Sequence, residues 1–152
     1  MDTIVEPRWL TSAQQVVWRD YLCAVAKINE RLDAELRPFG LDLPEYEILV
    51  YLSESEGLQL RMSDLADAVR QSRSRLTHTV ARMEAKGLIL RKACPEDRRG
   101  VIAVLTGSGL TLLKTAAPHH VQSVRNVFVD VVDPDDWDAL GRAMRAVLNM
   151  AD

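Results

Sequence analysis

The sequence predicts a mainly α-helical protein carrying one small β-hairpin. Three observations lead there. Apolar residues recur at helical spacing over most of the 152 residues. The period changes from helical to two directly after Gly87. Two short helical stretches, 63–69 and 72–86, stand immediately before that change with only Arg70 and Gln71 between them. The composition, 47% apolar and 27% charged, is that of a globular chain able to bury a core. No run approaches the ~18 consecutive apolar residues of a membrane span.

The first helix is predicted over residues 11–36, which contain no Gly or Pro. Trp18, Leu22, Val25, Leu32 and Leu36 form one apolar stripe, and Val17, Tyr21, Ala24 and Ile28 a second. Two stripes imply cover on more than one side. Pro38, Gly40 and Pro44 break the pattern, and Pro44 suits the first turn of a second helix with Ile48, Leu49 and Leu52 inward. Ser63 is expected to cap the third helix, with Met62 as a hydrophobic staple and Leu65, Ala66 and Val69 inside. Ser72 caps the fourth, whose core side is Leu76, Val80 and Met83 and which Gly87 ends in a left-handed conformation. Residues 88–92 and 101–105 read as paired strands around a turn containing Pro95, Glu96, Asp97 and Gly100. Thr106 caps a long helix with an expected kink or interruption at Pro118. Asp133-Pro134 opens a last helix with Trp137, Leu140, Met144, Val147 and Leu148 on its apolar face.

Charge singles out one region. The chain carries a net −3, yet residues 70–100 hold nine basic residues against Glu84, Glu96 and Asp97, a local +6 that leaves −9 for the rest. A basic block on an acidic protein is the footprint of a polyanion. Its order is short helix, tight turn, helix, strand, basic loop, strand. A helix enters the major groove only when a second element braces it across the backbone. The fourth helix offers Ser72, Arg73, Ser74, Arg75, Thr77 and His78 toward its N-terminal end, where arginine can pair with guanine and hydroxyls with base edges or phosphates. Arg98 and Arg99 on the loop could reach the neighbouring minor groove. No glycine marks the turn between the two short helices.

These residues resemble the MarR family of bacterial winged helix-turn-helix transcription regulators. The resemblance lies in Leu65-Ala66, in the run from Ser72 to Val80, in Met83-Glu84-Ala85-Lys86-Gly87-Leu88-Ile89, and best in Asp97-Arg98-Arg99 followed by Val101, Val104, Leu105-Thr106 and Gly109. It implies a winged helix-turn-helix head with N- and C-terminal dimerisation helices. The whole chain, 1–152, would be one such domain, with residues 42–106 as the DNA-binding lobe and 9–37 and 107–152 as the helical dimerisation lobe. It further implies a homodimer on a pseudo-palindromic double-stranded DNA operator, usually repressing, and released by a small phenolic or aromatic ligand or by an oxidant. Asp97 would hold the wing by pairing with an arginine, Arg99 being the nearest in sequence, and Arg98 would enter the minor groove. Ser72 to His78, with Arg82, would face the major groove and its phosphates.

Candidate sensors are few. Cys23 has apolar neighbours and reads as core, while Cys94 lies among Arg91, Lys92, Arg98 and Arg99, where positive charge favours the thiolate. With no CxxC or zinc-ribbon spacing, both are expected as free thiols in a reducing compartment. Trp18, Tyr21 and Tyr46 could line a ligand cleft or simply pack in the core. His119-His120 cannot place both rings on one helical face, and no metal or cofactor is expected. Residues 1–9 lack the basic start and apolar run of a secretion signal, which points to the cytoplasm. No Gly-rich phosphate loop or nucleophile–base pair suggests an enzyme. The competing reading is a winged-helix module that binds a protein partner without DNA.

Overall fold

The structure, a computed structural model, describes residues 6–151. Residues 1–5 and 152 lie outside the described residues, and with them part of the stretch read above for a secretion signal. Six helices and three strands follow in the order α1 (Ser12–Leu36), α2 (Leu43–Glu54), β1 (Gln59–Arg61), α3 (Met62–Ala68), α4 (Arg73–Ala85), β2 (Ile89–Cys94), β3 (Asp97–Leu105), α5 (Gly107–Val124) and α6 (Trp137–Leu148). A turn of π-helix, Arg125–Val129, extends α5, and a 3₁₀ turn, Pro134–Asp136, leads into α6.

Local chemistry explains most boundaries. Thr11 and Gln14 cap α1 reciprocally, side chain to backbone in both directions. Asp42 and Glu45 do the same for α2, whose first turn carries Pro44. Thr106 accepts the Gly109 amide at 3.0 Å and starts α5, and Asp133 accepts from Asp135 before α6. Gly87, at φ 74°, ends α4, with the Leu88 amide donating to the Met83 carbonyl and the Gly87 amide to that of Glu84.

Three expectations need correction. Ser63 is not the cap of α3. The helix begins one residue earlier, at Met62, with Arg61 as a cap residue that makes no side-chain bond. The chain enters α3 straight from β1, so sheet pairing fixes the entry in place of a capping hydroxyl. That strand also enlarges the hairpin to a three-stranded antiparallel sheet of order β1-β3-β2, with Leu60 opposite Ala103 and Leu90 opposite Val104. Finally, Pro118 does not interrupt α5, which runs through it to Val124. Pro118 is exposed, so water can reach the carbonyl that its missing N–H leaves without a donor.

The core lies in the middle of the chain. Ile48, Leu49 and Leu52 of α2, Leu65 of α3, Leu76, Val80 and Met83 of α4 and Ile89 of β2 are all essentially inaccessible. Each such side chain contributes roughly 1.5–3 kcal/mol by leaving water. Leu113 and Ala116 attach α5 to this cluster, and Leu36 attaches the end of α1. Gly109 permits a close approach, since a Cβ there would stand 2.3 Å from the Leu88 carbonyl oxygen.

The outer helices look different. On α1 only Leu32 and Leu36 are buried; Val17, Trp18, Tyr21, Leu22 and Val25 are exposed. On α6 no residue is buried, although its apolar face is well segregated. The cover expected on several sides of the first helix is therefore absent within one chain. Among the described residues no helix is long and apolar enough to cross a membrane.

Candidate nucleic-acid interface

The interface is built by α3, α4 and the wing. The turn between α3 and α4 uses the same hydrogen-bond pattern as the end of α4. The Gln71 amide donates to the Ala66 carbonyl at 3.0 Å and the Arg70 amide to that of Asp67 at 3.2 Å. This motif requires a left-handed residue, and Arg70 adopts it at φ 54°. The missing glycine is thus replaced by an arginine that takes the glycine's conformation. Arg70 also lies near Glu47, where burial raises the carboxyl pKa and the Arg70 charge opposes the rise.

Ser72 caps α4, its hydroxyl accepting from the Arg75 amide at 3.2 Å. With Leu76, Thr79, Val80 and Met83 turned into the core, Arg73, Ser74, Arg75, Thr77 and His78 are left exposed together, with Ser72 at their head. The Thr77 hydroxyl donates to the Arg73 carbonyl at 2.8 Å, so toward the outside it is an acceptor.

The basic window separates into paired and unpaired charges. Arg82 reaches Asp42 at 3.1 Å and Glu45 at 3.7 Å. Lys86 donates to both Glu45 oxygens, at 2.8 and 2.9 Å, and to the Gly40 carbonyl. Glu45 itself is 2% exposed. These contacts pin the C-terminal half of α4 to the start of α2. Arg82, expected to face the major groove, has its guanidinium engaged by two carboxylates while its side chain stays 54% exposed. Arg91 donates to Glu84 at 2.9 Å, and that hydrogen bond, more than charge, holds the Glu84 carboxyl below its ordinary value of 4.5. By contrast, Arg73, Arg75, Arg98 and Arg99 are exposed and form no ion pair among the described residues.

Asp97 organises the wing, but with different partners from those expected. One oxygen accepts from the Arg99 backbone amide at 3.0 Å. The other lies 3.8 Å from the Arg61 guanidinium of β1. The arginine that pairs with Asp97 is Arg61, which leaves the Arg99 side chain free. Sequence offered little sign of Arg61, because β1 is only three residues long.

The two cysteines reverse their expected environments. Cys23 is exposed, since the α1 face that carries it has no cover in the chain. Cys94 is buried, with Arg61 donating to its sulfur at 3.1 Å, and none of the four basic residues nearest in sequence makes that contact. The aromatic candidates do not converge. Trp18 and Tyr21 stack on each other at 5.8 Å on the exposed side of α1. Tyr46 is core, packed on His120 at 4.2 Å, and burial raises its hydroxyl pKa. His119 packs instead on Phe39. Among the described residues no group of three or more His, Cys, Asp or Glu side chains is placed to hold a metal ion.

Comparison with known proteins agrees with this geometry. Residues 39–100 match the model of the MarR family. The crystal structure of AbsC, a MarR family transcriptional regulator from Streptomyces coelicolor, is 48% identical, covers 93% of this chain and 96% of its own, and superposes with a TM-score of 0.88. This chain belongs to the MarR family. A second MarR regulator from Streptomyces coelicolor, Sco3205, solved in complex with DNA, is 43% identical with a TM-score of 0.89, covering 93% of this chain and 90% of that one. The HTH-type transcriptional regulator MhqR of Bacillus subtilis (strain 168) is 29% identical over 101 residues, 66% of this chain and 68% of its own. The MarR assignment makes the chain a DNA-binding transcriptional regulator with a winged-helix head, and its relatives are regulators rather than enzymes.

Proposed function

We propose that this MarR regulator acts in the cytoplasm as a homodimer on a pseudo-palindromic operator, with residues 42–106 as the head and residues 9–37 and 107–152 as the dimerisation lobe. Each α4 enters a major groove and each wing tip the adjacent minor groove. The observation that carries this reading is the set of exposed arginines without an ion pair among the described residues, Arg73 and Arg75 from α4 with Arg98 and Arg99 from the wing, of which Arg73 and Arg99 line one cleft. Cations already matched to carboxylates gain little from phosphate; unmatched ones gain the released counterions of the duplex. Ser72, Ser74, Thr77 and His78 supply the hydrogen bonds between them. Arg82 acts one step back, holding α4 against α2, and Asp97 holds the wing.

The exposed apolar faces of α1 and α6 supply the dimer contact, placing two heads about one helical turn apart on one side of the duplex. Such a dimer represses when its operator overlaps a promoter. A small phenolic or aromatic ligand that re-spaces the heads releases it, with the stacked Trp18 and Tyr21 as candidate contacts.

Selection of bound sequences from a random DNA pool tests the core of this reading, with a palindrome as the expected product. On the selected operator, Arg75→Ala is expected to cost ~1–3 kcal/mol at one base position. Arg98→Ala is expected to lower the salt dependence by about one unit for each phosphate the side chain neutralises. Recovery of no preferred sequence, or of an asymmetric single site, would overturn the dimeric operator.

A further inference from the structure

The face that α5 turns to the head begins apolar and ends in a histidine. Leu113, Ala116 and His120 follow one another at helical spacing and share that face. Leu113 and Ala116 belong to the head's core. One turn further on, His120 lies on Tyr46 of α2, with ring centres 4.2 Å apart. Its Nδ1 is buried and has no hydrogen-bond partner. The neighbouring His119 packs elsewhere, on Phe39 at 5.2 Å. We propose that His120 is a proton switch in this joint: in mild acid its ring leaves Tyr46, α5 comes away from α2 at that point, and the regulator releases its operator.

The proposal rests on the operator-binding reading above and adds a regulation to it. A neutral imidazole carries one N–H and one lone pair, whereas an imidazolium carries two N–H groups. A buried lone pair left unused costs less than a buried charged donor left unbonded. Burial already lowers the His120 pKa below the ordinary 6.5 and is the only cause that shifts it. The Tyr46 ring attracts a cation across its face, which offsets part of the cost without supplying the missing acceptor. The charged groups on the elements around α5 are engaged elsewhere. At α2, Asp42 and Glu45 bind Arg82 and Lys86, and Glu47 lies near Arg70. On α1, Asp33 accepts the Leu43 amide and pairs with Arg37, while Arg31 and Glu35 line a small cavity with His119. At the π-helical turn Arg125 pairs with Asp130. On α5 itself Lys114 is exposed. None of these groups bonds Nδ1. Operator binding needs both heads held at one spacing along the duplex. A head on a loosened joint must be ordered again when it binds, and affinity falls.

The test measures operator affinity of the full chain between about pH 7.5 and about pH 5.5, where histidine changes charge, at constant ionic strength. The parent should lose about fivefold or more. His120→Phe keeps an aromatic ring on Tyr46 and takes up no proton, so it should hold its affinity in acid. His120→Gln serves the same purpose if the larger ring disturbs folding. His119→Gln should respond as the parent does. Protonation of His78 on α4 is common to all these proteins and acts in the opposite direction, because it adds positive charge beside the DNA. Reciprocity supplies a second readout. An operator that holds the joint closed should lower the NMR titration midpoint of His120 relative to the free protein. A parent that keeps its operator affinity in acid would overturn the proposal. So would equal losses in the parent and both His120 variants, or a midpoint that operator does not move. A parent that binds no operator at neutral pH would overturn the underlying reading and the proposal with it.

Discussion

The head and the outer helices both carry apolar residues at helical spacing, and those residues meet opposite fates. In the head, α2, α3, α4 and the sheet bury one another, and Ile48, Leu49, Leu65, Val80 and Met83 are fully inaccessible. In α6 nothing is buried, and Val147 and Leu148 remain 55% and 78% exposed. Along α1 the change occurs within a single helix, from exposed Val17 and Trp18 to buried Leu32 and Leu36. The head is complete within one chain, while the outer helices leave apolar faces uncovered, as the proposed dimer requires. Several large apolar side chains exposed along α1 and again along α6 are the pattern of an interface.

The largest expected effect breaks the unfinished half. Val147→Glu places a charge in the proposed dimer contact, where it would have no partner. Sedimentation should show monomers, and operator affinity should fall by about 10²-fold or more as two linked heads become one. Thermal unfolding of the head should change far less. A variant that stays dimeric and binds normally would remove α6 from the interface.

The next test addresses the finished half. Glu45 is buried, yet it holds Lys86 and Arg82 across from α2 to α4. The two ends of this contact should not be equivalent. Glu45→Gln can retain the cap hydrogen bond from the Asp42 amide and leaves Lys86, 42% exposed, free to turn to water. It should cost about 1 kcal/mol. Lys86→Met leaves a buried carboxylate with the Asp42 amide and, as its only cation, Arg82 at 3.7 Å, and should cost about 2–3 kcal/mol. Denaturant unfolding of both variants measures the asymmetry. Equal destabilisation would show that the carboxylate is better solvated than its burial implies.

This network was among the features the sequence concealed, for a physical reason. Caps, breakers and periodicity are local, so Ser72, Gly87, Thr106 and Asp133-Pro134 mark their boundaries in sequence. Glu45 looks like a solvent residue because the cation that justifies its burial is 41 residues away. β1 is too short to show alternation and exists by pairing with β3. Cys94 lies five residues after Ile89, an odd spacing that simple alternation would place on opposite faces. A shift of register between Ala93 and Cys94 turns both inward. The proposed site could be named from sequence because its residues cluster on α4 and the wing. What could not be read was which cations are paired: Arg82 with Asp42 and Glu45, and Arg61 with Asp97.

The smallest expected effect lies where the two halves meet. His120 of α5 packs on Tyr46 of α2, and its Nδ1 is buried without a hydrogen-bond partner. Burial lowers its pKa below the ordinary 6.5. The sign of the consequence is fixed by linkage. The unfolded chain takes up this proton at a higher pH than the folded chain, so stability rises with pH across the interval between the two values. Stability contributed by neutral His120 should therefore be full above pH 6.5, decline as pH falls through it, and level off once the folded form is also protonated. Because the ring is only partly buried, water offsets some of the decline, and the change should amount to a few degrees of Tm at most. His120→Gln should flatten this part of the curve, and an NMR titration should place the His120 midpoint below 6.5. A midpoint at or above that value would mean that Nδ1 finds a partner in solution, and the joint between head and outer helices would then be insensitive to mild acid.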